Sequence, residues 1–205
     1  MTTRVSPTRH APRKTPKQKR SEDTVEIILE ASARILEGVG LDGFTTNAVA
    51  ERAGISVGSV YQYFPSKHAI LAELARRHRV RFVDLTRTAI ESCRNEPIHA
   101  LIGRLVDAAV AEQFRRPALA RMLDIAERDP SIDGAGAAHL RAVLDMIAEA
   151  LAARGLRDPV RAAEDLMALT RALTDAAGGR QETRGAEVAA QIKNAALGYL
   201  ADRAG

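Results

Sequence analysis

The chain has no tryptophan, one cysteine and only seven aromatic residues, three tyrosines and four phenylalanines, in 205 positions. A lone Cys93 cannot close an internal disulfide, so nothing ties the chain to an oxidising compartment. It reads as a small apolar residue on a helix. No stretch approaches the ~18 uninterrupted apolar residues of a membrane span. The basic N-terminus is not followed by the apolar run of a secretory signal, so a cytoplasmic protein that makes no use of membrane is expected. Also missing are paired histidines at metal spacing, a phosphate loop, a glycine-rich nucleotide fingerprint and a Ser/His/Asp set. No enzyme, metal or cofactor is expected.

What is present is helix-forming. Hydrophobic residues make up 46% of the chain, and Ala and Leu, both good helix formers, lead among them. The net charge of +4 hides an asymmetry. Arg4, Arg9, Arg13, Lys14, Lys17, Lys19 and Arg20 give the first twenty residues +7 with no acid, while the rest sums to −3. With Pro7, Pro12 and Pro16 among Ser and Thr, residues 1–20 read as a disordered basic arm. Such an arm either follows DNA phosphates or is a solvated leader.

Order is expected from about Ser21. Val25, Ile28, Ser32, Ile35, Leu36 and Val39 recur at three and four residues, predicting an amphipathic helix over 23–39. Thr45 or Thr46 can cap a second helix over Asn47–Ala53, which Gly54 closes. Ser56 can cap a third over 57–64, and Pro65 stops it. Two helices this short cannot stand alone; joined by a tight turn they read as a helix-turn-helix. Ser66 can cap a fourth helix, 67–93, which at 1.5 Å per residue is roughly 40 Å long. Its stripe is Leu71, Leu74, His78, Phe82, Leu85 and Ala89, with His78 read as a satisfied histidine. Arg76, Arg77, Arg79 and Arg81 read as a solvated face or as partners for acids in the second domain rather than as a DNA patch. Helical patterns continue to the end, and Val188, Ile192, Ala195 and Tyr199 form a heptad-like seam.

The densest cluster of aromatics falls in GSVYQYFPSK, where Tyr61, Tyr63 and Phe64 occur within ten positions. A helix that enters a major groove about 12 Å wide must be slim at its tip. Ser56, Val57, Gly58 and Ser59 are small enough. Ser59 can bond a base edge and Val57 can meet a thymine methyl. Tyr61, Tyr63, Thr45, Thr46 and Lys67 can reach phosphates. Phe44 and Phe64 are assigned to the core of the small domain.

The stretch TTNAVAERAGISVGSVYQYFPSK resembles the signature of the TetR family of transcriptional regulators. The resemblance covers about 45 residues with the first helix included. It implies an all-α chain of about nine helices. A three-helix helix-turn-helix DNA-binding domain at 21–68 would be continuous with a larger helical ligand-binding and dimerisation domain at 69–205. It further implies a homodimer formed by helices near 159–177 and 186–203, bound to double-stranded palindromic operator DNA. A small, mainly apolar effector would release it by tilting helix 4. The DNA-contacting set carried over is Thr46, Ser56, Val57, Gly58, Ser59, Tyr61, Tyr63 and Lys67. His68 and Ala69 stand where many relatives carry a glutamate, so Ser66 lacks a capping-box partner.

The effector pocket should be lined by helices of 95–154 and the start of 159–177. Few aromatics lie there, so it should be aliphatic, with Met122, Met146 and Met167 as adaptable fillers. His99 and Gln113 are the polar candidates taken forward, from a set that also holds Arg104, Asp107, Arg121 and Asp124. The competing reading is a helical protein-binding adaptor that keeps the helix-turn-helix as scaffold.

Overall fold

The computed structural model describes residues 16–129, 132, 136–180 and 184–201. Among these are nine helices and no strand: α1 (Pro16–Val39), α2 (Thr46–Ala53), α3 (Val57–Tyr63), α4 (Lys67–Ser92), α5 (Ile98–Arg115), α6 (Pro117–Ala126), α7 (Gly136–Ala152), α8 (Pro159–Gly179) and α9 (Gly185–Ala201). The all-α expectation holds.

The start of α1 differs from the expected residue 23. The helix already runs at Pro16, so the last five residues assigned to the basic arm are helical. Proline in a first turn lacks only an N–H that the helix does not use, and no glycine or further proline interrupts the chain until Gly38. The expected arm otherwise falls on residues 1–15, outside the described residues. Within α1, Ile28, Ser32, Ile35 and Leu36 are buried, but Val39 is 65% exposed, because the stripe ends one turn early. Buried Ser32 is satisfied by donating to the Ile28 carbonyl at 2.7 Å.

Two apolar cores form. The bundle core takes Leu101, Ile102, Val143, Leu151, Ile192 and their neighbours from α5, α7, α8 and α9. The seam of α9 turns inward in part: Val188 and Ile192 are fully buried in this core and the Tyr199 hydroxyl donates to Asp165 on α8, but Ala195 is exposed and Ala196 takes the buried position. The second core lies in the N-terminal head around Phe44, Val49, Val60 and Phe64. Burying each such side chain is worth about 1.5–3 kcal/mol, which α2 and α3 need because neither is long enough to persist alone.

The head core does not end at residue 68. Ile70, Leu71, Leu74 and Ala75 enter it from α4, and Leu119, Leu123 and Ala126 enter it from α6. The bundle thus lends a helix to the head, and α6 lies against α1. Ion pairs reinforce this seam. Arg116, just before α6, reaches α1 and donates to both carboxylate oxygens of Glu37 at 2.6 and 2.7 Å and to Glu30 at 2.7 Å. The α4 arginines do find acids. Arg77 bonds Glu73 and Glu26, Arg79 pairs with Glu127, and Arg81 pairs with Glu112.

The Arg116 fork makes an acid-sensitive contribution. Hydrogen bonds from Arg116 hold the Glu37 carboxyl below its ordinary value of 4.5, against opposing burial. A depressed carboxylate stabilises the fold above its unfolded pKa and loses that stabilisation as pH falls through the folded one. Arg116→Met should therefore lower stability at neutral pH by about 1–3 kcal/mol. The loss should shrink below about pH 4.5, where wild type forfeits the same interaction. Urea unfolding of both proteins across this range checks it; an equal gap at all pH values would exclude the fork as the cause.

Candidate nucleic-acid interface and ligand cavity

The turn between α2 and α3 is set by three local devices. Thr45 has extended backbone (φ −129°, ψ 155°), and its side-chain oxygen accepts from the Ala48 N–H at 3.1 Å. This selects Thr45 over Thr46 as the cap. Gly54 closes α2 in the left-handed region at φ 67°. Its N–H reaches Glu51, and the Ile55 N–H reaches back to Ala50, so both orphan carbonyls are met. Ser56 then caps α3, its Oγ accepting from the Ser59 N–H at 3.0 Å.

These caps aim α3. Val60 and Phe64 face the core, with Val57 and Tyr63 half-buried against it. Gly58 and Tyr61 are exposed. Ser56 Oγ and Ser59 Oγ are 2.8 Å apart, so the Ser59 hydroxyl is held at the slim tip rather than free to rotate. Thr46 Oγ1 lies 3.3 Å from the Tyr61 hydroxyl, which ties the start of α2 to the second half of α3. Ser66 caps α4 by accepting from the Ala69 N–H at 3.2 Å, without a glutamate partner. Exposed Lys67 follows at the first residue of α4. Thr45, Thr46, Ser56, Gly58, Ser59, Tyr61 and Lys67 are thereby brought to the outer side of the head, while Val57 and Tyr63 divide between surface and core.

A cavity of about 230 Å³ opens in the bundle between α4, α5, α6, α7 and α8. Its long walls are apolar: Phe82 on α4, Ile102 and Val106 on α5, Ile147 on α7, Leu166 and Met167 on α8. One end is polar, with His78, Glu112, Gln113, Asp124, Arg171 and Asp175. Glu112 is almost fully buried and is compensated by Arg81 at 2.6 Å, Arg115 at 3.2 Å and His78 Nδ1 at 3.5 Å. Burial pushes the Asp124 carboxyl up, an effect that Arg171 partly opposes.

Of the residues predicted to line a pocket, Gln113 and Met167 do so, as does Asp124 from the wider set. Met122 instead packs on the head core beside Gly40. Met146 packs on the bundle core. His99 is exposed at the start of α5, and Asp107 pairs with Lys193 at 2.6 Å. His78 and Thr86 were missed as wall residues. The available signal was their spacing with Phe82 at i, i+4 and i+8, which shares one helix face.

A capped two-helix reader on a head built into a cavity-bearing bundle defines a helix-turn-helix protein with a helical second domain. Residues 28–74 match the family model for bacterial regulatory proteins of the tetR family, and residues 97–200 match the tetracyclin repressor-like C-terminal domain. The chain belongs to the TetR family of transcriptional regulators. The HTH-type transcriptional repressor KstR of Rhodococcus jostii is 44% identical over 50 residues, 24% of either chain. The chain thus aligns with about a quarter of that curated relative's length. In fold, it is similar to PfmR of Thermus thermophilus (TM-score 0.71, 17% identity, 83% of this chain and 96% of that one). It is also similar to SmeT, the repressor of the Stenotrophomonas maltophilia efflux pump SmeDEF (TM-score 0.68, 22% identity, 86% and 91%).

Gly54 offers a clean test of the turn. A Cβ there would meet no atom within 4 Å, so only the left-handed backbone penalises a side chain. Gly54→Ala should lower stability by about 1–2 kcal/mol, and Gly54→Asn by less, because Asn tolerates that conformation. Thermal or chemical unfolding of the two variants measures the difference.

Proposed function

We propose that this protein is a dimeric, effector-responsive repressor that binds a palindromic operator in the cytoplasm. The observation that carries the reading is the shared core. α6 contributes Leu119, Leu123 and Ala126 to the head and Asp124 to the cavity wall. A ligand that shifts α6 or α4 would move the reading helix. In this reading Thr45, Thr46, Tyr61, Tyr63 and Lys67 meet phosphates, while Val57, Gly58 and Ser59 meet bases, with Ser56 positioning Ser59. Gln113 and Met167 contact the effector.

Two protomers would place their α3 helices roughly 34–36 Å apart, one turn of DNA. Small exposed residues on α8 and α9, such as Ala168, Ala172, Ala190 and Gly198, let a second pair of helices approach closely, as in a four-helix bundle. The adaptor alternative lacks a comparable observation, since the exposed face of α3 carries a slim tip and hydroxyls rather than an apolar patch.

Binding to a palindromic fragment from the region upstream of the gene, measured across salt concentrations, tests the reading. Specific binding with a steep salt slope is expected. Lys67→Ala should weaken all sequences alike and flatten the slope by about one phosphate per protomer, whereas Ser59→Ala should change sequence preference. Affinity no better than for random DNA would reject the repressor reading.

A further inference from the structure

The polar end of the cavity is unevenly compensated. Glu112 is held by Arg81, Arg115 and His78. Asp124 is not. Among the described residues its side chain takes part in no hydrogen bond, and its one ion-pair partner is Arg171 at 3.8 Å. Arg171 is itself divided, lying 3.9 Å from Asp175, and its side chain is 65% exposed. A long, solvated arginine between two carboxylates contributes little to either. Glu112 is thus met by two guanidiniums, whereas Asp124 and Asp175 share a single loosely placed one, that of Arg171.

A further polar group, Thr86, faces the cavity from α4. Thr86 is 3% exposed and lines the cavity, yet its hydroxyl has no partner among the described residues. Its neighbour Thr88 instead bonds the Asp84 carbonyl of its own helix. That hydroxyl is open to the cavity, where a ligand or water can bond it. Thr86 stands eight residues from His78 on α4, about 12 Å along the helix. Between the two ends the walls are Phe82, Ile102, Val106, Ile147 and Leu166.

We propose that the cavity binds a compact amphiphilic amine, its protonated nitrogen on Asp124 and its apolar body directed along α4 towards Thr86. An ammonium supplies the donors that Asp124 lacks. An anionic head would instead add a third poorly compensated negative charge beside Asp124 and Asp175, which is unfavourable in a partly buried pocket. The size agrees. About 230 Å³ is below the ~300–1,000 Å³ of pockets for drug-sized ligands, so the occupant is small. Asp124 is also well placed for signalling, because the opposite face of its helix belongs to the head core. This inference rests on the effector-responsive reading above and names the ligand class of that site.

Isothermal titration of the full chain at neutral pH with 4-phenylbutylamine, 4-phenylbutanol and 4-phenylbutyrate tests it. The amine should bind tightest, at least ~10-fold above the carboxylate. Asp124→Asn should remove the advantage of the amine over the alcohol while leaving alcohol affinity unchanged, which also reports an intact cavity. Arg171→Gln should raise amine affinity severalfold by removing the competing cation. The inference is overturned if no amine binding is detected, if the carboxylate equals or exceeds the amine, if Asp124→Asn keeps the amine preference, or if Arg171→Gln weakens amine binding. Operator binding on the same preparations separates the two levels. Specific DNA binding without amine preference overturns this inference alone. Amine preference without specific DNA binding overturns the repressor reading and leaves the ligand assignment standing.

Discussion

The head cannot close its own core, and the rest of the structure depends on that. α2 has eight residues and α3 seven, too few to be stable without packing. α1 supplies one wall, but the core around Phe44 and Val60 is completed only by the start of α4 and by one face of α6. No surface separates a DNA-reading unit from the bundle behind it. A displacement of α4 or α6 must either carry α1, α2 and α3 with it or open the head core. Close-packed interiors respond to such a choice by moving as discrete units.

The charges follow the same seam. Arg116 locks the entrance of α6 to Glu30 and Glu37 of α1. Arg77 ties α4 to Glu26 of α1 while also bonding Glu73, whose carboxyl the arginines beside it hold down to about 2. Arg79 and Arg81 join α4 to Glu127 and Glu112. The arginines of α4 are thus committed to acids inside the protein. Lys67, exposed at the first residue of α4, is not among these pairs.

Local chemistry was legible in the sequence and tertiary partnership was not. Ser56, Gly54, Pro65 and Ser66 act through bonds within a few residues, so caps and stops could be read directly. Phe44 and Phe64 could be assigned to a core because the surrounding helices offer few other bulky side chains. Periodicity placed Val188 and Ile192 on one face of α9 but could not say which neighbour that face meets, and it meets its own bundle. Nothing local showed that α6 packs on α1, 79 or 86 residues away at Arg116–Glu37 and Arg116–Glu30. The cavity suffers most. Thr86 and His78 acquire meaning only when α5, α6 and α8 close around them, whereas Met122 and Met146 were suggested by side-chain adaptability alone and pack elsewhere.

Energetics bound how such a shared core can signal. A hundredfold change in operator affinity corresponds to about 2.7 kcal/mol. A ligand can supply this only through a difference between its affinities for the two arrangements. The apolar walls are a weak source, since a compact body loses little contact if α6 moves slightly. A charge pair is steeper: Coulomb attraction in a partly buried site is several kcal/mol at contact and falls quickly as the ions separate or admit water. Asp124 is the cavity carboxylate on the helix that also builds the head, and its negative charge is poorly met. The group whose interaction energy is most sensitive to helix position is therefore carried by the helix whose position the DNA reader feels. Under the proposed function, that coincidence lets a small occupant of a small cavity meet the energetic requirement without a large rearrangement of the bundle.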